Sequence, residues 1–389
     1  MKRKNILNIF AAGTIAALMI TGCTASHTES SVSDRVTDTV VSAENEIDEE
    51  SVVSGYDEVI ELSNDSGTVS ITEGGIYLLT GSSEDCTVRI DAGEDESVTL
   101  ILCDAKIVSS SSAAIYARSA GDVNIILDGE SVLMNEEGFN DPEDEEIDAV
   151  IYSKTDVTIS GEGSLNITAA DGKGITVNDS LVISGGNLDI DASDDGINVN
   201  EDFLMSSGTL NVKAGDDGIH ADVNLTIEDG DITLDGAEGL EATNIVINDG
   251  KILINASDDG INAAQKSDET DVKVEINGGD ITIVMGEGDT DGIDSNGDLV
   301  INGGKIDITG QSACDYDGMA ELNGGTLIVN GEETDAIPNQ FMGGGFGSEG
   351  GFGGASRPEG GPGPGEGFAP GEGFMPGEGQ APGEPVGGK

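Results

Sequence analysis

Four consecutive segments near the centre of the chain repeat one pattern. They read GNLDIDASDDGI at 186–197, GTLNVKAGDDGI at 208–219, GDITLDGAEGL at 230–240 and GKILINASDDGI at 250–261. Each segment alternates apolar and polar residues, continues into an acidic turn that ends in Gly, and closes on another apolar residue. A repeat of 20 to 22 residues built from short strands and Gly/Asp turns is typical of a solenoid and here predicts a parallel β-helix.

The spacing of the repeat gives the size of one coil. Three strands of four to six residues with their turns occupy about 20–25 residues. The gaps between the glycines that close each coil are mostly of this length, and the longest gap holds a polar insertion at 264–271; the glycines are Gly163, Gly186, Gly208, Gly230, Gly250, Gly279, Gly304 and Gly325. No long segment has an apolar period of 3.6 residues, so the predicted fold class is all-β.

Period-2 alternation predicts which side chains point inward. One predicted inward column contains Leu188/Ile190, Leu210/Val212, Ile232/Leu234, Ile252/Ile254, Ile281/Ile283, Ile306/Ile308 and Leu327/Val329. A second contains Leu181/Ile183, Phe203/Met205, Leu225/Ile227, Ile245/Ile247, Val274/Ile276 and Leu299/Ile301. The expected core is therefore a set of aliphatic stacks that run from coil to coil.

The charge of the chain excludes one class of partner. The sequence has 76 acidic and 16 basic residues, which gives a formal net charge of −60. Binding of nucleic acid depends on clusters of Lys and Arg that neutralise phosphates, and such clusters are absent from the sequence. We therefore expect no nucleic-acid partner and a monomeric, strongly acidic protein.

The first residues have the pattern of an export signal. Lys2, Arg3 and Lys4 precede a short apolar stretch that ends in Ile20-Thr21-Gly22-Cys23. This ending resembles the bacterial lipobox, which implies a signal peptide at 1–22, lipid attachment to Cys23 and an extracytoplasmic protein anchored to the membrane at the cell surface. The alternative is an ordinary secretory signal with a chance Cys.

Composition divides the rest of the chain into three parts. Residues 23–52 are rich in Ser, Thr and acidic residues, which is typical of a flexible tether. Residues 53–340 carry the β-pattern and form the expected β-helix domain. Residues 341–389 consist of Gly/Pro/Glu repeats that cannot bury a core, and we expect this tail to be disordered.

Three further cysteines, Cys86, Cys103 and Cys314, show no metal-ligand spacing. Cys86 and Cys103 are about one coil apart, and an exported compartment permits a disulfide between them. Buried, unpaired thiols are the alternative for all three.

The acidic turns are the candidate functional residues. Equivalent positions on successive coils of a β-helix are about 4.8 Å apart. Two carboxylates at this distance repel each other by about 3–4 kcal/mol at an effective dielectric constant of 20. A stack of them is costly unless cations lie between the coils, and carboxylate oxygens are ligands that Ca²⁺ prefers. The candidate calcium ligands are Asp194, Asp195, Asp216, Asp217, Asp258, Asp259, Asp289, Asp291, Asp315 and Asp317.

Two observations limit this prediction. Asp-Gly is a common turn dipeptide, since Asp caps the turn and Gly accepts a positive φ, so each Asp has an alternative structural explanation. Two coils also depart from the pattern, because Ala237-Glu238 replaces Asp-Asp in one and Lys173 occupies the carboxylate position in another. We expect these two coils to be poor metal sites.

Several features together resemble one family of bacterial surface proteins. They are the DDGI turns, the NGG and SGG closing motifs, the AAIY and AVIYSKTDVTISGEG segments, the lipobox and the Gly/Pro-rich tail. The sequence is similar to the carbohydrate-binding domain family of clostridial bacteria over residues 54–345. This resemblance implies a right-handed, single-stranded, pectate-lyase-like parallel β-helix that binds calcium and plant polysaccharide, cellulosic or pectic, without cleaving it.

Two other functions remain open from the sequence. β-Helix lyases use calcium with an Arg or Lys as base, and Lys213 and Lys251 fall on the repeat strands. Hydrolytic relatives combine Asp with His, and Asp217 and His220 lie close together in the sequence. The third class is a passive adhesin or spacer that binds no sugar.

Overall fold

The computed structural model describes residues 55–339, apart from residues 65, 66, 137, 142, 143, 145 and 289. The predicted signal peptide, tether and C-terminal tail, together with Cys23, lie outside the described residues. Within the described part, the chain forms strands and turns, and it has no helix long and apolar enough to cross a membrane.

The strands follow one another with short turns along the whole described chain. The first ten are β1 (Glu58–Leu62), β2 (Gly67–Ile71), β3 (Gly75–Ser83), β4 (Cys86–Asp91), β5 (Ser97–Ser109), β6 (Ile115–Ser119), β7 (Asp122–Asp128), β8 (Glu130–Asn135), β9 (Ala149–Ser153) and β10 (Val157–Gly161). The next ten are β11 (Ser164–Ala169), β12 (Lys173–Val177), β13 (Leu181–Ala192), β14 (Ile197–Val199), β15 (Asp202–Lys213), β16 (Ile219–Ile227), β17 (Asp231–Gly236), β18 (Leu240–Ile247), β19 (Lys251–Ala256) and β20 (Ile261–Ala263). The last nine are β21 (Lys273–Ile276), β22 (Asp280–Met285), β23 (Asp291–Ser295), β24 (Asp298–Ile301), β25 (Lys305–Thr309), β26 (Ser312–Tyr316), β27 (Ala320–Leu322), β28 (Thr326–Val329) and β29 (Glu332–Thr334).

The pairing of the strands makes a parallel β-solenoid of about twelve coils. Each strand pairs in parallel with the equivalent strand of the next coil, so the solenoid has three faces. Face 3 carries the site described below, and it consists of β2, β4, β6, β9, β12, β14, the start of β16, the start of β18, β20, β23 and β26. The predicted all-β parallel solenoid is therefore confirmed.

The aliphatic stacks of the core also agree with the prediction. Ile183, Met205, Ile227, Ile247 and Ile276 are partners in register on successive coils, and all five are fully buried. The residues predicted to point inward are buried, except for Val329, which is half-buried. Val329 lies on β28, in the last coil of the described residues.

The C-terminal end of the solenoid is closed by a change of direction. Strand β29 pairs with β28 antiparallel, with Leu327 opposite Thr334, whereas the pairs before it are parallel. An open parallel edge presents unpaired backbone groups that can recruit another chain. The short antiparallel strand covers part of that edge.

Candidate functional site

The outer side of face 3 carries one polar or aromatic side chain from each coil. These residues are partners in register, so they form a continuous row along the solenoid, here called the outer row. Its members are Arg89, Tyr116, Tyr152, Thr176, Asn198, His220, Glu241, Asn262, Asp294 and Asp315. The row is aromatic and basic at its N-terminal end and acidic at its C-terminal end.

A second row runs beside it, in the turn that enters face 3. Backbone hydrogen bonds connect these turns, because the glycine after each turn residue donates to the turn residue of the next coil at 2.8–3.0 Å. This turn row consists of Lys173, Asp195, Asp217, Glu238, Asp259 and Asp291, and the register continues to Ser312. The predicted stacking of the acidic turns is therefore present from Asp195 to Asp291.

The Asp-Gly turns suggest glycines with a positive φ, but in the acidic turns glycine is required for another reason. Gly186, Gly208, Gly230 and Gly250, which close the coils, have a positive φ, whereas Gly196 and Gly218 do not. A Cβ on Gly196 would lie 2.2 Å from Cγ1 of Val212 and 2.7 Å from the carbonyl oxygen of Gly218. Gly is needed at position 196 because the turn packs directly against the core and the next coil.

Two of the predicted ligands, Asp315 and Asp317, lie outside the turn row. Asp315 lies in the outer row, in register with Asp294. Asp317 follows strand β26 and donates its backbone N–H to Ser295 at 3.0 Å, so it lies in the turn that leaves face 3. Ser312 is the register partner of Asp291 and takes the next position of the turn row, because the turn before β26 is shorter. Asp289 lies outside the described residues.

At the N-terminal end of the turn row, the carboxylates meet a lysine. Nζ of Lys173 lies 2.6 Å from Asp195 and 3.4 Å from Asp194. Burial alone lowers the pKa of Lys173, but the hydrogen bond and the charge of Asp195 outweigh this effect and raise it. Carboxylate oxygens of Asp194, Asp195 and Asp216 lie within 4.8 Å of one another, so a cation can interact with all three. Lys173 is the cation that pairs with Asp194 and Asp195.

The centre of the face is organised around a protonated histidine. Nδ1 of His220 lies 2.6 Å from Glu241 and 3.2 Å from Asp217, and Nε2 lies 3.1 Å from Asp222. Burial lowers the pKa of His220, but hydrogen bonds to the three carboxylates raise it to about 10. The three carboxylates therefore favour the imidazolium form at neutral pH. Ligand atoms of Asp217, His220 and Glu241 also lie within 4.8 Å of one another, so this group could hold a metal ion in place of the proton.

A second cation reaches the same centre from a distant part of the chain. Lys266, in the polar insertion, contacts the other carboxylate oxygen of Glu241. Burial raises the pKa of Glu241, whereas His220 and Lys266 lower it to about 2. The insertion is held in place by Thr243, whose Oγ1 accepts the backbone N–H groups of Lys266 and Ser267 at 2.9 Å.

The C-terminal part of the face contains carboxylates without such cations. Burial, followed by the charges of neighbouring carboxylates, raises the pKa of Asp259 to about 6 and of Asp294 to about 7. None of the ion pairs between described residues involves Asp259, Asp294 or Asp315. The net negative charge of face 3 is therefore concentrated at this end.

A buried amide oxygen lies beside this cluster. Nδ2 of Asn262 donates to Glu238 at 3.0 Å and approaches Glu241 at 3.4 Å, both on the preceding coil. Its Oδ1 has no partner among the described residues, although Asn262 is only 8% exposed. Because the amide nitrogen faces the preceding coil, the oxygen is directed away from it, and the register partner on the following coil is Asp294. A buried acceptor without a donor is costly unless a cation or water satisfies it.

Sequence reasoning missed four of these residues, namely Glu241, Asn262, Asp294 and Lys266. The first three occupy the same place in each repeat, between the two inward residues of the face 3 strand. That position could have been found from the alternation alone. Lys266 could not, because it lies in an irregular insertion.

The cysteines are not part of the site. Cys86 and Cys314 are free and buried, so Cys86 does not pair with Cys103. Lys213 and Lys251 are also remote, because they lie outward on β15 and β19 and pair with Asp191 and Asp231 at 3.6 Å. The acidic residues of face 3 do not contact either lysine through any described ion pair.

The fold and the site together define a parallel β-solenoid with a charged row on one face. The sequence matches the carbohydrate-binding domain-containing protein family over residues 65–242 and 219–333, and the chain belongs to this family. A carbohydrate-binding domain-containing protein of Acetivibrio thermocellus is 35% identical over 188 residues. That alignment covers 47% of this chain and 64% of the relative, which is less than two thirds of the relative's length.

One solved structure is also similar. It is described as a polysaccharide lyase-like protein from C. thermocellum, determined as a gadolinium derivative. It is 27% identical, and the comparison covers 70% of this chain and 96% of that chain with a TM-score of 0.41.

Proposed function

We propose that this protein binds an acidic plant polysaccharide of the pectic type on face 3, with Ca²⁺ held at the C-terminal end of that face. Family membership supports carbohydrate as the ligand class. The observation that carries the proposal is the cluster of Asp259, Asp294 and Asp315 beside the unpartnered oxygen of Asn262.

These residues fit a hard cation. Carboxylates and a neutral amide oxygen are the donor types that Ca²⁺ takes in proteins. Asp259, Asp294, Asp315 and Asn262 would hold the ion, and their side chains would have to move together to do so. Among the described residues, the groups with three ligand atoms already within 4.8 Å of one another are Asp194/Asp195/Asp216 and Asp217/His220/Glu241. A bound calcium would supply positive charge that relieves the mutual repulsion of the carboxylates.

The positive charge of a bound calcium ion would also explain how an acidic protein binds an acidic polysaccharide. The protein has a formal net charge of −60, so it repels a polyuronate. An ion that accepts ligands from the protein and from the sugar carboxylates removes this repulsion locally. Cellulose is the weaker candidate, because it brings no charge and because Tyr116 and Tyr152 in the outer row are almost completely buried, so their rings cannot stack on a sugar.

The N-terminal acidic turns have a structural part in this proposal. Lys173 neutralises Asp194 and Asp195, and His220 with Lys266 neutralises Asp217 and Glu241. These internal cations occupy the place that calcium takes at the other end. Because of these lysines and this histidine, carboxylates can stack on successive coils of face 3 without a metal ion on every coil.

The lyase alternative needs a base on face 3. Carboxylates hold the pKa of Lys173 and of Lys266 above the ordinary value, so both lysines remain protonated at neutral pH. A protonated lysine cannot abstract the proton that β-elimination requires. We therefore favour binding without cleavage, and the absence of unsaturated products from polygalacturonate would be the supporting assay.

The sequence also supports a location for this activity. The lipobox-like ending at Cys23 would attach the protein to the membrane, with the solenoid presented at the cell surface. Replacing Cys23 with Ala should move the protein from the membrane fraction to the medium. Retention in the membrane fraction would contradict the anchor and would leave the binding proposal intact.

The deciding experiment is a pull-down of the purified protein on polygalacturonate gel and on cellulose. We expect retention on polygalacturonate in millimolar calcium and release by a chelator. The variant Asp259→Asn/Asp294→Asn should bind less, whereas Asp189→Asn/Asp191→Asn, with two exposed carboxylates changed on another face, should bind as the natural protein does. Calcium-independent binding by both variants would contradict the bridging role.

A further inference from the structure

Three potential ligand atoms from two successive coils converge at the centre of face 3. Nδ1 of His220 lies 2.6 Å from Oε2 of Glu241 and 3.2 Å from Oδ2 of Asp217. His220 and Glu241 are register partners in the outer row, so the stacking of the coils itself brings them together. The ligands of a tetrahedral zinc ion are about 3.4 Å apart, so each of these two distances would open by less than about 1 Å around a metal ion.

Two of these ligand atoms are oriented by further charged groups. Nε2 of His220 lies 3.1 Å from Oδ1 of Asp222, and this contact holds the ring so that Nδ1 faces the other two ligands. The ammonium group of Lys266 contacts Oε1 of Glu241, which leaves Oε2 directed at the imidazole. A carboxylate behind a ligating imidazole is the usual arrangement around protein-bound metals, because it orients the ring and makes the ligating nitrogen more basic.

The charges around this group favour a divalent ion over a proton. Asp217, Asp222 and Glu241 carry three negative charges, and Lys266 carries one positive charge. With a proton on His220, the five side chains keep one net negative charge, whereas a divalent ion bound to the neutral ring leaves none. The three ligand side chains are 15% exposed or less, so solvent screens this imbalance weakly.

The donor types of the group select the class of metal. Ca²⁺ takes about six to eight oxygen ligands, whereas this group offers two carboxylate oxygens and one imidazole nitrogen. Imidazole suits Zn²⁺ and the neighbouring transition metals. Three protein ligands, with the remaining position left to water, are a common arrangement around zinc.

We propose that Asp217, His220 and Glu241 bind a divalent transition metal ion of the zinc type through Oδ2, Nδ1 and Oε2. The Nδ1 proton passes to the solvent when the metal binds, and Nε2 keeps its proton and donates it to Asp222. This site goes beyond the proposed function, because it requires neither the polysaccharide nor the calcium cluster at the C-terminal end of face 3.

The experiment uses the full-length protein without a histidine tag, freed of metal by a chelator and then kept in millimolar calcium. Isothermal titration calorimetry with zinc chloride should show one site per chain that calcium does not fill. His220→Gln should bind zinc at least about 10-fold more weakly, because it removes the nitrogen ligand.

The sequence supplies a matched control, because it contains two histidines, His27 and His220. His27→Gln, at a residue outside the described part of the chain, should bind zinc as the natural protein does. In this variant His220 is the only histidine left. Electron spin-echo spectroscopy with one equivalent of Cu²⁺, which accepts the same donor types, therefore tests directly whether His220 is a metal ligand.

An imidazole signal in His27→Gln, together with weaker zinc binding by His220→Gln, would support the site. Absence of that signal, absence of zinc binding in calcium, or equal zinc affinity of a folded His220→Gln variant would overturn the proposal. The copper measurement decides the question even where His220→Gln has a lower melting temperature, because it uses protein that keeps all three ligands.

Discussion

Nδ1 of His220 lies 2.6 Å from Oε2 of Glu241 on the neighbouring coil, and the two side chains are 15% and 7% exposed. This pair joins two successive coils through the outer row, as the Tyr116–Tyr152 ring contact and the hydrogen bond from Asn262 to Glu241 do elsewhere in the row. It places a cation in the middle of an acidic face at neutral pH. On the N-terminal side the carboxylates pair with Lys173, and at the centre they pair with His220 and Lys266, whereas Asp259, Asp294 and Asp315 have no ion pair among the described residues.

The first prediction concerns the contribution of this histidine to stability. His220→Ala leaves Asp217 and Glu241 buried with less compensation, and breaking a buried charge pair costs about 3–5 kcal/mol. Denaturant unfolding in the presence of a chelator measures the change in the free energy of unfolding. Lys213→Ala serves as control, because its pair with Asp191 is 71% and 62% exposed and should contribute less than about 1 kcal/mol. Equal effects of the two variants would contradict the buried-pair interpretation.

The second prediction concerns pH. The pKa of His220 is raised from 6.5 to about 10, so its contribution is complete below pH 6.5 and is lost as the pH rises through 10. The pKa of Asp294 is raised from 3.8 to about 7. Ionisation of Asp294 therefore lowers the free energy of unfolding as the pH rises from 3.8 to about 7. The pKa of Glu241 is lowered from 4.5 to about 2, so its contribution is lost as the pH falls from 4.5 through 2.

In chelator, therefore, the melting temperature should be highest near pH 5 and should fall steadily towards pH 10. Circular dichroism melts at one-unit intervals would measure this profile. His220→Gln should reduce the fall between pH 6.5 and 10. A melting temperature that rises from pH 5 to pH 9 would contradict the assigned pKa directions.

The third prediction separates metal binding from simple charge. Asp259→Asn/Asp294→Asn should raise the melting temperature in chelator, because it removes carboxylates that repel each other. The same variant should lose the increase that calcium gives the natural protein, which is about 2.7 kcal/mol at a calcium concentration 100-fold above Kd. Differential scanning calorimetry with and without calcium measures both effects. Identical melting curves of the natural protein under both conditions would remove calcium from the proposal.

The fourth prediction concerns the glycines of the acidic turns. Gly196→Ala places a methyl group against Val212 and the backbone of Gly218, and such overpacking costs about 1–3 kcal/mol. Gly331→Asn is the control, because Gly331 has a φ of 82° and open space around it, and Asn tolerates this conformation. Chemical denaturation should show a clear loss for the first variant and little for the second. A neutral Gly196→Ala variant would mean that the turn can move away from the core.

Much of this architecture could be predicted from local pattern. Period-2 alternation identified the inward residues, such as Ile183 and Met205, because every coil repeats the same requirement to bury one side of each strand. The repeat also predicted the stacking of the acidic turns, because the number of residues between the turn and the next strand is constant. The stacked residues are Asp195, Asp217, Glu238 and Asp259. Where that distance changes, as before β26, the repeat no longer predicts the stacking, and Ser312 rather than an Asp is the register partner of Asp291.

The sequence by itself determined that this chain is a solenoid with a stack of acidic turns, because both properties depend on spacing within one repeat. Only the tertiary structure decided how the charges of that stack are balanced. Lys266 neutralises Glu241 from an irregular insertion 25 positions further along the chain, and Thr243 holds that insertion through the backbone N–H groups of Lys266 and Ser267. Ion pairs of this kind form between residues that do not occupy equivalent positions of the repeat. The local sequence pattern therefore could not predict them.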